Sequence, residues 1–285
     1  MHSQYSKIKK NMGKDNYLSE EFVFDEQVFL LKAGIDVVEK KLSLLKNNLG
    51  LMKVGSEKDN SSNEVLEFKC DSLEYFCQLS KFLIERIEEI EYSKKTDLRF
   101  YFPNIRALID IYSKLLYLNS KDESTCQRIV ACQNLRILKV LDDKKRFYSF
   151  LKKYETIFQN CDYNISSFEK FPKPDKNKKN LIDNFCFPGV KKMISSAHFK
   201  NINLSLGEDK LKLTIKEMHS FCCEYAHGNS ILKNVFGKEH FWIIISLRSL
   251  LELTMVLFEG FDFEVSGWRR EVENKNKNFI TIYGK

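Results

Sequence analysis

Phe241 to Phe258 reads FWIIISLRSLLELTMVLF, eighteen residues whose only charges, Arg248 and Glu252, stand near the middle. Two structures produce such a run: a helix that spans a membrane, or a helix at the centre of a soluble bundle. Each charge would cost about 3 kcal/mol at mid-bilayer. In a bundle the two stand one helical turn apart and can pair with each other. The second solution is the cheaper, so the expectation is an all-α bundle with no membrane segment and with Lys238 to Glu259 as its central helix.

The rest of the chain supplies helices for that bundle. On the N-terminal side Glu208 to Ala226 reads as a helix closed by Gly228, and Pro188 to His198 as a short one. Periodicity vanishes over residues 159–187, where Phe171 to Asn180 (FPKPDKNKKN) reads as a mobile basic loop. Glu123 to Phe158 is periodic through Ile129, Leu135, Leu138, Phe147, Leu151 and Tyr154. Its length predicts two helices, broken near Asp142 and Asp143. Pro103 occupies a first-helical position ahead of Asn104 to Leu118. Two long helices, Glu20 to Leu49 stopping at Gly50 and Glu64 to Tyr92, flank a loop from Val54 to Asn63 and are expected to form an antiparallel hairpin. Residues 1–17 are polar and expected to be flexible. Beyond Gly260 the pattern is mixed. Phe279 to Tyr283 alternates like a short strand or an extended tail, so 261–285 is expected to be a flexible C-terminal segment after a bundle domain spanning 18–260.

Composition narrows the function only a little. The 285 residues are 43% hydrophobic, enough for a real core, and 46 Lys and Arg against 39 Asp and Glu give a net charge of +7. That excess permits an anionic partner, although Lys interspersed with Asn, Ile and Phe is also what an AT-rich genome encodes. The eight Cys form no C-x-x-C pair, and Met1 to Lys14 has no apolar stretch of the kind a signal peptide carries, so a cytoplasmic location with reduced thiols is expected. The phosphate-cradling G-x-x-x-x-G-K-[ST], the G-x-G-x-x-G turn, the G-x-S-x-G elbow and the H-E-x-x-H zinc helix are all missing.

Three arrangements remain. Arg106 and Asp110 lie one turn apart with Lys114 a further turn on, either as a solvated stripe or as the polar wall of a cleft. His219, Cys223 and His227 fall at i, i+4 and i+8. One face would then carry imidazole, thiol and imidazole, which reaches a zinc site only if His198 or His240 supplies a fourth ligand. The plainer reading is a buried thiol and a His at a helix end, so neither metal nor cofactor is expected. His227, with Glu224 one turn before it, also suits general acid or base work. Arg248 and Glu252 read as a structural ion pair, or as part of an interior polar site where Arg106, Asp110 and His227 converge.

The runs Pro103 to Tyr112 and Glu224 to Gly228 resemble bacterial helical proteins that share an R-x-L-x-[ED] helix and a distal H-G and look related to HEPN-like bundles. That resemblance implies a bundle fold and a role in phage-defence or toxin–antitoxin systems. Many HEPN proteins are ribonucleases in which an R-x(4–6)-H motif supplies the catalytic Arg and His. Here none of His198, His219, His227 and His240 has an Arg at that distance before it. Two readings therefore stand. One is an accessory or effector protein, a homo-oligomer or complex subunit, that binds protein, RNA or DNA through the loop residues Lys173, Lys176, Lys178 and Lys179. The other is a metal-independent ribonuclease using His227 with Arg106 or Arg248.

Overall fold

A computed structural model describes residues 20–55, 60–88, 98–159, 186–197, 207–226, 239–260 and 266–283. Among them the chain forms ten helices and no strand: α1 (Glu20–Gly55), α2 (Asn60–Glu88), α3 (Leu98–Asn119), α4 (Glu123–Val140), α5 (Lys144–Lys153), α6 (Glu155–Gln159), α7 (Val190–Ser196), α8 (Glu208–Ala226), α9 (Glu239–Gly260) and α10 (Ser266–Tyr283). The all-α expectation is met. No described helix is long and apolar enough to cross a membrane.

Helix α3 is the hub: it packs against α2, α7, α8 and α9, while α9 also packs against α1 and α8. Ile105, Leu108, Ile109, Tyr112 and Leu115 of α3 meet Leu31 and Ile35 of α1, Phe76 of α2, Ile215 and Met218 of α8, and Leu247, Leu250 and Leu251 of α9 in the main core. Each large apolar side chain so buried contributes about 1.5–3 kcal/mol, which outweighs weak local propensity. Every residue from Ser246 to Phe258 is buried, as befits a helix apolar on all sides. Within this core the Tyr112 hydroxyl bonds to Thr254, and the Tyr112 ring meets Phe76 edge-on at 4.8 Å.

Helices α4, α5 and α6 have a core of their own, built from Leu135, Phe147, Leu151, Tyr154 and Phe158 with Cys186. Two contacts join this subassembly to α2. One is the small cluster of Val65, Leu118, Cys126, Ile129 and Val130; the other is Glu64, which accepts from the Tyr154 hydroxyl at 2.7 Å and pairs with Lys153. Asp122 caps α4 by accepting from the Thr125 backbone N–H at 2.9 Å, and Asp143 caps α5 by accepting from that of Arg146 at 3.1 Å. Between them Asp142 takes a left-handed φ of 53°, which Asp tolerates better than most residues, and the chain breaks where its Asp pair predicts.

Several local expectations fail. Helix α2 starts at Asn60 rather than Glu64, so most of the expected loop Val54 to Asn63 is helical. Glu123 to Phe158 holds three helices rather than two, with α5 capped at its C-terminus by Tyr154, whose side chain is buried in the core of α4 to α6. Helix α1 runs through Gly50 to Gly55, because a mid-helix Gly costs only about 1 kcal/mol and Leu49 beside it is buried. Helix α3 begins five residues before Pro103, which sits in the second turn, gives up a single backbone donor and stays. The C-terminal segment is not a tail. Residues 266–283 form α10, with Phe279 to Tyr283 helical rather than extended, since Trp268 and Val272 one turn apart are both buried against the main core. Trp268 donates its indole N–H to the Leu30 carbonyl at 2.9 Å and meets the Phe258 ring edge-on at 5.0 Å. A Cβ at Gly34 would lie 2.8 Å from Trp268 Cζ2, so only a glycine lets the indole lie this close to α1.

Candidate functional site

The Arg106, Asp110 and Lys114 stripe of α3 divides between α8 and Phe187. Asp110 turns to α8, where its Oδ1 lies 3.2 Å from His219 Nε2 with the two side chains 35% and 15% exposed. Arg106 is half-buried beside Cys222 of α8. Burial pushes the Cys222 thiol up to about 12, and the nearby guanidinium offsets only a little of that. Lys114 stands over the Phe187 ring at 5.8 Å, and Phe187 stacks on Phe68 of α2 at 5.6 Å.

Asp110, His219 and Cys223 share the composition of a nucleophile, base and orienting group, but their geometry is different. The Cys223 sulfur lies 3.7 Å from His219 Nδ1 and 3.9 Å from Nε2. A thiol on the Nδ1 lone-pair axis would leave Nε2 much the farther of the two, so the sulfur sits beside the ring rather than in line for proton transfer. Among the described residues no group of three His, Cys, Asp or Glu could hold a metal ion. His227, the third member of that helical face, lies outside the described residues, as do His198 and the loop residues Lys173, Lys176, Lys178 and Lys179. Glu224 is exposed near the end of α8.

The second candidate is in the interior. Arg248 Nε donates to Glu252 Oε1 at 3.1 Å, and both side chains are 0% exposed. The next partner comes from α1, Gln27, whose Oε1 lies 3.5 Å from an Arg248 guanidinium nitrogen, and whose amide nitrogen has no partner among the described residues. Glu26, bonded to Lys275 of α10 at 2.6 Å, adds its field. Burial lowers the Arg248 pKa from its ordinary value, and Glu252 and Glu26 oppose that shift. Arg248 and Glu252 form the ion pair expected on one of the two readings; in place of the other, a convergence with Arg106 and Asp110, the buried pair turns to α1 and Asp110 turns to α8.

A third feature escapes a reading by motif. Residues 123–153 carry eight Lys and Arg against Glu123, Asp142 and Asp143, which is +5 of the chain's +7. Lys144, Lys145, Arg146, Lys152 and Lys153 of α5 are all exposed, as is Arg136 of α4. Arg136, Lys145 and Lys152 have no ion pair among the described residues. Exposed apolar groups accompany them: Ile137, Val140 and Leu141 at the end of α4, and Tyr148, 43% exposed, on α5. Charge counted by segment rather than over the whole chain would have found this surface. Compared with known families, curated proteins and solved structures, the chain matches no family model, no curated protein and no solved structure.

Proposed function

We propose that this chain is a non-catalytic binding protein that holds a nucleic acid on the basic surface of α4 and α5, as an accessory or effector subunit of a bacterial defence or toxin-type system. The observation that carries this reading is the charge distribution: α4, α5 and the turn between them hold eight Lys and Arg against Glu123, Asp142 and Asp143, +5 of the chain's +7, and six of the eight cations are exposed, which is the electrostatic footprint a phosphate backbone requires. A HEPN-like arrangement is part of the proposal. Its support is that α3, which carries the first quoted run, packs on α8, which carries Glu224 to Ala226 of the second, with Asp110 bonded to His219.

The ribonuclease alternative has to use Arg106, since Arg248 has no access to solvent and cannot reach a phosphate. One experiment addresses both. Fluorescence anisotropy with labelled RNA and DNA across a salt series should give a log affinity that falls linearly with log salt. Replacing Lys144, Lys145 and Lys152 together with Glu should weaken binding at least tenfold. Gel analysis of the same mixtures should show intact RNA; cleavage that disappears in His227→Ala and Arg106→Ala would establish the enzyme instead.

A further inference from the structure

We infer that α5 reads single strands: Tyr148 is a stacking platform for one unpaired base, and Lys144 and Lys152 take the phosphates on either side. This rests on the nucleic-acid reading above and gives it a substrate class. Phe147 and Leu151 are buried in the α4 to α6 core, which fixes the rotation of α5 and sends the Lys144, Tyr148 and Lys152 stripe outward. Members of that stripe follow one another at i+4, about 6 Å along the helix axis per step. The Phe147 ring meets Tyr148 edge-on at 5.6 Å, bracing the tyrosine ring from the core side. An exposed aromatic between two cations is the arrangement that binds single strands, because every base has a face to stack and the cations follow the backbone. In a duplex those faces are covered by neighbouring bases, so the ring has nothing to receive.

Charge alone would also suit an anionic lipid surface, and the exposed Val140 and Leu141 are aliphatic. The aromatic flanked by cations on α5 favours the base over the lipid. The test uses the full chain, a labelled 20-nucleotide single-stranded RNA, the matching duplex, and vesicles containing phosphatidylserine. The single strand should bind at least tenfold tighter than the duplex and in preference to the vesicles. Tyr148→Ala should weaken single-strand binding by about 5- to 150-fold with an unchanged salt slope, while Tyr148→Trp keeps it. Tyr148→Leu preserves the helix and the apolar bulk, so an equal loss there assigns the effect to the ring. Lys144→Ala and Lys152→Ala should each flatten the salt slope by about 0.7. If the duplex binds as well as the single strand, or Tyr148→Ala binds like the wild type while the triple Glu variant does not, this inference fails and the nucleic-acid reading stands. Absence of all RNA binding, or a preference for vesicles, overturns both.

Discussion

One helical turn separates Arg248 from Glu252 on α9, and the same turn separates Lys144 from Tyr148 and Tyr148 from Lys152 on α5. Equal spacing has opposite consequences. On α9 the side chains are removed from water, so the charge must be answered within the protein, by Glu252, Gln27 and Glu26. On α5 the charges remain hydrated, and one of them, Lys152, has no ion pair among the described residues. A buried charge of this kind is committed to the fold. An exposed concentration of one sign is open to a partner.

The sharpest way to break this contrast is Glu252→Ala. It should cost about 3–5 kcal/mol in urea melts by stranding the guanidinium, and a double replacement by Met at Arg248 and Leu at Glu252 should recover most of the loss. A single-variant cost below about 1 kcal/mol would mean that the pair is solvated and the contrast is false. Next comes Gly34→Ala, which forces a methyl group against Trp268 and should cost about 1–3 kcal/mol while RNA affinity per folded molecule is unchanged. The smallest effect per step is alkaline. The Cys77 and Cys222 thiols are pushed by burial from 9.0 up to about 12, so the folded state holds their protons longer than the unfolded chain does. Their contribution is therefore fully present below pH 9 and is lost as pH rises from 9 to 12, by at most about 1.4 kcal/mol per pH unit per thiol. Urea midpoints at pH 8 and pH 10 should show the fall, and Cys222→Ala should make it shallower.

Where one helix faces one core, the sequence was legible. The bounds of α8 coincide with Glu208 to Ala226, and the two Asp residues mark the end of α4 and the cap of α5. The Arg248 and Glu252 pairing was also readable, because two charges one turn apart in an apolar run have few other solutions. Misreadings came where long-range packing overrode a local signal. Gly50 and Pro103 are breakers by composition, yet α1 and α3 have enough buried neighbours to absorb a cost of one hydrogen bond or about 1 kcal/mol. Five alternating residues at 279–283 looked extended because the pattern was too short to weigh against Trp268 and Val272, which hold α10 on α1 from a distance. The joint site of Arg248 with Arg106 could not be decided from sequence, since which neighbour a side chain turns to depends on how the helices are rotated. Net charge hid the α4 and α5 surface because the remainder of the chain is nearly neutral.

The hydrogen bond from Trp268 to Leu30 spans 238 residues. During synthesis at about 5–20 residues per second, α1 is made roughly 12–48 s before the indole that covers it. For that interval Gly34 and the surface around it lack their cover, while α3 already has α2 beside it. Assembly of this protein therefore has a built-in order in time, with α10 arriving last among the described helices, and the α1 surface beneath Trp268 is where a nascent chain would most need protection from misassociation.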